Sequence, residues 1–365
     1  MAQRVLDIVA IPGDGIGPEL VDSALAVLHG ALRVVGHRAE VETMEAGAGL
    51  FTRTGEAFPA GGLDRLRRAD GVLKGPVGLP DVRLPDGSEA GLLGGVMRTG
   101  LDTFANLRPV RLMPGVRGAT RHEPGEIDYV IVRENTEGLY LSRGRGIATD
   151  DVAVDQLLVT RAGVERVVRF AFELALTRSG APIDGRRRVT CVDKSNVLRS
   201  FALFRRVFDE VAAHYPQVEA THLYADAAAH DLVVHPGRFD VVVTENFLGD
   251  ILSDLGAASV GGLGMCPSGN IGEHAAYFEP IHGSAPTIAG QNRSNPLSQI
   301  LSAALLLDHA GVERAGDLVR TAVAAGLADG SIAIDRTGQP AGGTSSVTDA
   351  VLARIDDPAA LRSAV

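Results

Sequence analysis

The sequence predicts an α/β protein, and three observations carry that expectation. Short Val- and Ile-rich runs alternate with longer stretches whose apolar residues recur at helical spacing. The 44 glycines and 18 prolines supply the tight connections that such alternation needs. A chain of 365 residues, 45% hydrophobic, can fill two or three lobes at roughly 100–200 residues per domain.

The bulk chemistry narrows the partners. A formal charge of −10 excludes nucleic acid or an anionic membrane surface as the main partner, while local arginines can still hold a small anion. Two cysteines, Cys191 and Cys266, form no Cys-x-x-Cys and read as buried apolar residues. No apolar run reaches the ~18 residues of a membrane span. A strand pattern begins by Val5, which leaves no room for a leader peptide, so a cytoplasmic protein is expected. There is no internal repeat or low-complexity tract.

Residues 4–11 read as a buried strand. The loop PGDGIGPE follows, then an amphipathic helix from Glu19 to about Val35. Pro18 suits its first turn and Glu19 the positive end of its dipole. The spacing of Gly13, Gly15 and Gly17 is G-x-G-x-G rather than G-x-G-x-x-G, and Asp14 would repel a pyrophosphate, so an ordinary dinucleotide fingerprint is disfavoured. A second strand is expected at 39–44, a polar helix at 62–69 and a short strand at 71–74. Residues 78–95 read as irregular. In MRTGLDTFANLRPVRL, Asn106 and Pro109 are expected to end a helix before an apolar strand.

Residues 128–133 read as a strand ending in RENTEGLY, and 141–160 as an extended arm or hairpin. A helix follows over 161–177, then a polar turn and a strand over 188–193. Lys194 and Asn196 are expected to open a long helix, whose dipole would help Lys194 act as a base. Residues 219–225 form a strand, and Asp226 is expected to cap the next helix. Further helices are expected from Ile300 to Gly311, Asp317 to Ala328 and Ser346 to Ile355.

In VVVTENFLGDILSDLGAASVGG a strand, a polar turn and a helix follow one another. Asp250 and Asp254 lie four apart, so both carboxylates share one helix face. They are either solvated acids or ligands of a hard divalent cation, which would offset their repulsion. Arg98 and Arg108 are either surface charges or a clamp for a dicarboxylate, and Arg133 stands where its strand emerges.

Six separated motifs, IPGDGIGPE, FANLRPVRL, VRENTEGLY, VDKSNV, NFLGDILSDL and EPIHGSAPTIAG, occur in one order from about Val5 to past Gly343. On these the chain resembles the β-decarboxylating dehydrogenases of isocitrate, isopropylmalate, homoisocitrate and tartrate/D-malate. The resemblance implies a non-Rossmann, isopropylmalate dehydrogenase-like fold, with two α/β domains around a large mixed sheet. A nucleotide domain would comprise 1–103 and 261–365. A substrate, metal and dimerisation domain would comprise 104–260, with an arm near 141–160 that clasps a second copy. It further implies that Arg98, Arg108, Arg133 and Asn196 bind substrate, that Lys194 is the base and Tyr140 the acid. Asp226, Asp250 and Asp254 would hold Mg²⁺ or Mn²⁺, with Lys194 and Asp226 reaching in from the other subunit of a homodimer. Ile11 and Gly13 would lie beside the nicotinamide, and His282, Gly283, Ser284, Ala285, Thr287, Ile288 and Asn295 would hold the adenosine part.

Two departures qualify the resemblance. Many NAD-using relatives carry an acid, and NADP-using ones a lysine and tyrosine, where this chain has Thr287 and Ile288. NAD is the expected cofactor; NADP is the alternative that Arg293 and Arg336 would serve. The run Glu89-Ala90-Gly91-Leu92-Leu93 resembles the isopropylmalate pattern, but Gly94 and Gly95 set it two residues further from Arg98. The leading substrate is 3-isopropylmalate. A tartrate/D-malate, homoisocitrate or isocitrate enzyme is the alternative. A non-catalytic regulatory subunit is disfavoured, because Lys194, Tyr140 and all three aspartates are present.

Overall fold

A computed structural model describes residues 3–85 and 87–357; residues 1–2 and 358–365, the ends of the two outer segments expected above, lie outside the described residues. In chain order the first strands and helices are β1 (Val5–Ile11), α1 (Gly17–Val34), β2 (Arg38–Thr43), α2 (Ala48–Thr54), α3 (Gly62–Arg68), β3 (Gly71–Lys74) and α4 (Gly94–Gly100). The middle of the chain forms β4 (Ala105–Arg111), β5 (Asp128–Glu134), β6 (Ile147–Ala148), β7 (Ala153–Val154), α5 (Arg161–Thr177), β8 (Arg188–Asp193), α6 (Arg199–Ala212), β9 (Glu219–Tyr224) and α7 (Ala225–Val234). Then come β10 (Val241–Thr244), α8 (Asn246–Ser259), β11 (Pro267–Ile271), β12 (Ala276–Pro280), α9 (Leu297–His309), α10 (Glu313–Ala328) and α11 (Gly343–Ile355).

Ten strands form one mixed sheet in the order β2-β1-β3-β12-β11-β4-β5-β10-β8-β9. Both flanks are parallel, as strand–helix–strand crossovers require. At the centre β12, β11, β4 and β5 run antiparallel to their neighbours in turn. This places the two ends of the chain and its middle on opposite halves of the same sheet. Leu6, Leu73, Phe278, Ile131 and Val242, all at most 1% exposed, belong to one apolar core that crosses both halves. The buried helix α9 packs against α1, α10 and β11. On the other half α5 and α6 share a core around Phe172, Phe204 and Phe208. The two-stranded β6–β7 hairpin stands apart, with Ile147 66% exposed.

Several local expectations are corrected. Asn106 and Pro109 do not break a helix; they lie within β4. Pro109 costs no ladder bond, because its partner Val130 donates its N–H to Asp240 on the far side of β5. Lys194 and Asn196 do not open a helix. They sit in a turn in which the Lys194 carbonyl accepts from Val197 and Leu198, and α6 starts only at Arg199. The dipole argument for Lys194 therefore fails. Asp226 lies inside the first turn of α7, whose N-cap is Tyr224. Helices α9, α10 and α11 each begin three or four residues before the expected position. Helix α2 and strand β12 fall where the sequence suggests loop; short length and flanking glycines and prolines hide both.

Candidate active site

A cleft of about 810 Å³ opens at the ends of the central strands. Its walls include Lys74, Arg98, Arg108, Asn135, Tyr140, Asn246, Asp250, Tyr277, Glu279, His282 and Gly283. Strand β5 delivers Arg133, 1% exposed, beneath α8. Gly249 permits that approach, because a Cβ there would stand 2.7 Å from the Arg133 side chain. The Arg133 Nε donates to Asn246 Oδ1 at 2.9 Å, and its Nη1 pairs with Asp250. Asn246 is held in turn by donating to the Glu137 carbonyl at 2.9 Å. Glu245 caps α8 by accepting from Phe247 and Leu248 at 3.0 and 3.2 Å, so the helix start is fixed by side chains.

Arg108, on β4, lies 3.5 Å from Asp250 and 3.6 Å from Asp254 and donates to Ser253 Oγ at 2.5 Å. Tyr140 donates to Asp250 Oδ2 at 2.6 Å and stacks edge-on against Phe247. Arg98 shares the cleft, and its buried Nε has no hydrogen-bond partner. The structure thus brings together three arginines, Tyr140 and the α8 aspartates.

The electrostatics follow from this crowding. Burial, then repulsion from Arg108 and Arg98, pushes the Arg133 pKa down to about 9, so it stays charged at neutral pH. Burial alone would raise Asp250; the Arg133 charge, the Tyr140 hydrogen bond and Arg108 outweigh it and hold the carboxyl below its ordinary range. For Asp254 burial wins over Arg108, and repulsion from Asp250 adds to it, so that carboxyl lies above its ordinary value. Burial and the Asp250 contact raise Tyr140 to about 12, which keeps its proton on at any working pH.

Lys194 and Asp226 are not part of this assembly. They pair with each other at 2.5 Å, and neither lines the cleft. Asn196 is exposed in the turn beside them. Among the described residues no group of three His, Cys, Asp or Glu is placed to hold a metal ion. Within one chain the donors are two hard carboxylates, Asp250 and Asp254. They suit Mg²⁺ or Mn²⁺ in kind and lack a third protein partner.

Of the expected cofactor residues, His282 and Gly283 line the cleft. Ile11 is buried at the end of β1. Gly13 has φ +74°, and a Cβ there would lie 2.1 Å from the Pro76 carbonyl oxygen. Asp14 is not a free charge in this loop: its carboxylate accepts from Ala48, Gly49 and Gly78, each at 2.8 Å. Ile16 donates to the Ser284 carbonyl at 2.8 Å, and the Ser284 hydroxyl to Gly78 at 2.5 Å. The glycine loop and residues 282–285 are therefore one tied unit. Ala285 adopts φ +36°, and Thr287 and Ile288 follow in a 3-10 turn. Asn295 spends its amide internally, on Gly338 and Leu297, both at 3.1 Å. Arg293 donates to Gln339 at 3.2 Å and Arg336 is exposed. Sequence reasoning missed Lys74, Tyr277, Glu279 and Asn246; polar residues in apolar strand patterns were the available signal for the first three, while Asn246 sits at the start of α8.

The sequence model described as isocitrate/isopropylmalate dehydrogenase matches residues 7–351. A 3-isopropylmalate dehydrogenase of Streptomyces griseus subsp. griseus is 43% identical over 360 residues, covering 96% of this chain and 99% of that protein. One from Bacillus thuringiensis subsp. konkukian is 42% identical over 363 residues, covering 96% and 97%. Among solved structures, isocitrate dehydrogenase from Methylococcus capsulatus superposes with a TM-score of 0.84 at 35% identity, covering 96% of this chain and 100% of that one. The TT0538 protein from Thermus thermophilus gives 0.83 at 38% identity, covering 96% and 68%. With the arginine cluster, the paired aspartates and this match over nearly its whole length, the chain belongs to the isocitrate/isopropylmalate dehydrogenase family of decarboxylating dehydrogenases.

Proposed function

We propose that this chain oxidises and decarboxylates a 3-substituted malate, with 3-isopropylmalate as substrate and NAD as hydride acceptor. The observation that carries the reading is the convergence of Arg98 and Arg108 with Tyr140 and Asp250 in one cleft, with Arg133 paired to Asp250 beneath it, in a chain 42–43% identical to proteins named for that activity. The arginines bind the substrate carboxylates. Lys194 of a second copy takes the C2 hydroxyl proton as hydride leaves C2 for NAD. The bond from C3 to its carboxyl carbon then breaks, CO₂ departs with the electron pair left on the substrate, and Tyr140 returns a proton to C3. Asp250 and Asp254, joined by Asp226 of the second copy, would hold Mg²⁺ or Mn²⁺. Bound there, the cation would supply positive charge that favours loss of the hydroxyl proton and of CO₂.

This reading makes the active unit a homodimer. The exposed β6–β7 hairpin is its clasp, and the single-chain Lys194–Asp226 pair separates to serve the other subunit's cleft. The segments 1–103 with 261–365, and 104–260, act as a nucleotide and a substrate domain. Among the described residues no helix is long and apolar enough to cross a membrane, and a cytoplasmic location fits the metabolite chemistry. Arg293 donates to Gln291 and Gln339; NAD is the acceptor on this reading, and NADP is the alternative that Arg293 and Arg336 would serve.

One observation favours a second substrate within the same chemistry. Gly94 and Gly95 line the cleft beside Arg98, and a Cβ on Gly95 would meet nothing within 4 Å. The room so left suits a 3-substituent other than isopropyl, or a tartrate/D-malate type. Reduction of NAD and NADP is measured with 3-isopropylmalate, isocitrate, homoisocitrate, D-malate and tartrate, each with Mg²⁺ or Mn²⁺. The highest kcat/KM is expected for 3-isopropylmalate with NAD. A higher value for another acid would replace the substrate, and inactivity on all five would sink the reading.

A further inference from the structure

Across the sheet centre runs a chain of side chains on four adjacent strands: buried Lys74 on β3, half-buried Glu279 on β12, and buried Asn270 on β11 and Asn106 and Arg108 on β4. Lys74 pairs with Glu279 Oε2 at 2.5 Å. Asn270 Nδ2 donates to Glu279 Oε1 at 3.0 Å, and Asn106 Nδ2 donates to Asn270 Oδ1 at 2.9 Å. Arg108 Nε donates to Asn106 Oδ1 at 2.6 Å. Neither Asn106 nor Asn270 has measurable exposure.

The polarity of this chain is determined at both ends. An ionised carboxylate can only accept, so Asn270 must turn its NH₂ to Glu279. Its oxygen then faces β4 and demands donors. Asn106 meets that demand with its own NH₂, which leaves its oxygen for Arg108, a group that can only donate. Asn135 is recruited in the same sense: its Nδ2 donates to Asn270 Oδ1 and to the Thr103 carbonyl, both at 2.9 Å. That recruitment accounts for the buried Asn135 oxygen that has no partner. Each amide fits in one orientation only, and reversing any one would set like groups face to face.

We propose that Asn270 is a positioning residue: through Asn106 it fixes the guanidinium of Arg108, and it ties that substrate-side arginine to the Lys74–Glu279 pair at the nucleotide end of the cleft. The kinetic part of the test rests on the decarboxylation reading above; the spectroscopic part does not. Protein labelled with ¹⁵N-arginine is prepared as native, Asn270→Leu and Asn270→Asp, and the Arg108 Nε–H signal is assigned by its loss in Arg108→Lys. In Asn270→Leu, hydrogen exchange at that Nε–H should speed up about tenfold, and the substrate KM should rise about tenfold with kcat changed less than about threefold, as expected for the loss of roughly one buried hydrogen bond.

Asn270→Asp adds a signature that a packing role would not produce. The introduced carboxyl, when protonated, can donate to Glu279 and accept from Asn106 as asparagine does; when ionised it cannot. The charged groups around it are Lys74, Glu279, Arg98 and Arg108. The kcat/KM of Asn270→Asp relative to native should therefore rise on acidification, while that of Asn270→Leu stays level. If Asn270→Leu does not fold, Asn270→Ser is read by the same exchange measurement. Native-like Arg108 exchange in the variant that folds would overturn the proposal. A level pH ratio for Asn270→Asp would do the same. A native protein inactive on all malates would sink the decarboxylation reading, and the exchange result would still decide Asn270.

Discussion

Arg133 and Lys194 stand on either side of the same strand, yet their settings are opposite. β10 pairs with β5 through Thr244 and Arg133 on one side, and with β8 through Thr244 and Val192 on the other. Arg133 is 1% exposed and held by Asn246 and Asp250. The Lys194 side chain is 33% exposed, pairs with Asp226, itself 72% exposed, and stands 5.8 Å from the centre of the Tyr224 ring. The Arg133 cluster is assembled within a single chain, whereas the Lys194–Asp226 pair lies on the surface outside the cleft. A cationic side chain only 1% exposed must be bound tightly or it destabilises the fold. One at 33% can exchange partners at little cost.

The contrast is tested most strongly by removing the exposed half. Lys194→Met should lower kcat by about 10²–10⁴-fold, the usual contribution of a positioned base, and leave substrate affinity largely intact. Near-native turnover would break the assignment. Next, Lys194→Ala and Asp250→Ala proteins, each inactive alone, should regain activity when mixed under subunit exchange. Half of random dimers are mixed and each has one whole site, so about a quarter of native activity is expected. No recovery after verified exchange would show that each site is built from one chain.

A smaller effect probes the buried half. Arg133→Met leaves Asp250 without its main partner and should lower unfolding free energy in urea. The roughly 3–5 kcal/mol typical of a broken buried pair, discounted because Asp250 is 37% exposed, becomes roughly 1–3 kcal/mol. The pH dependence has a definite sign. Asp250 is held below its ordinary pKa, so its contribution is present above that ordinary value and is lost as pH falls through the lowered one. The native urea midpoint should therefore drop in acid more steeply than that of Arg133→Met; parallel curves would argue against the pairing. The smallest effect is expected for Asp226→Asn. Its pair with Lys194 is solvent-exposed, so the melting temperature of the metal-free protein should not move measurably, while turnover falls. A clear loss of stability would mean that the pair is structural.

Much of this was legible from residue order. Asp250 and Asp254 share a helix face because four residues make about one turn, and that spacing needs no tertiary information. Strand β10 and helices α5 and α8 stand where apolar periodicity puts them. The start of helix α6 does not: Lys194 to Leu198 separate β8 from the helix, and Ser195 and Asn196, which favour turns over helix interiors, were the available sign. Asp14 also departs from its expected role. A charge in a glycine loop suggests repulsion of phosphate, but three backbone N–H groups converge on it from residues 48, 49 and 78. The Lys74–Glu279–Asn270–Asn106 chain could not be seen, because its members come from four strands whose order in the sheet is not their order in sequence.

By itself the sequence determined the family, the acidic pair on α8, and most strands and helices. These depend on residue type and local spacing, which linear order carries. Only the tertiary structure decided which of those groups meet. Arg98, Arg108, Arg133, Tyr140 and Asp250 converge because the antiparallel centre of the sheet brings α4, β4, β5 and the start of α8 to one cleft. Lys194 and Asp226 stay outside it because β8 and β9 lie at the far edge of the same sheet. Burial then separated the two carboxylates that looked alike in sequence: the charge of Arg133 holds Asp250 ionised, while desolvation favours the proton on Asp254.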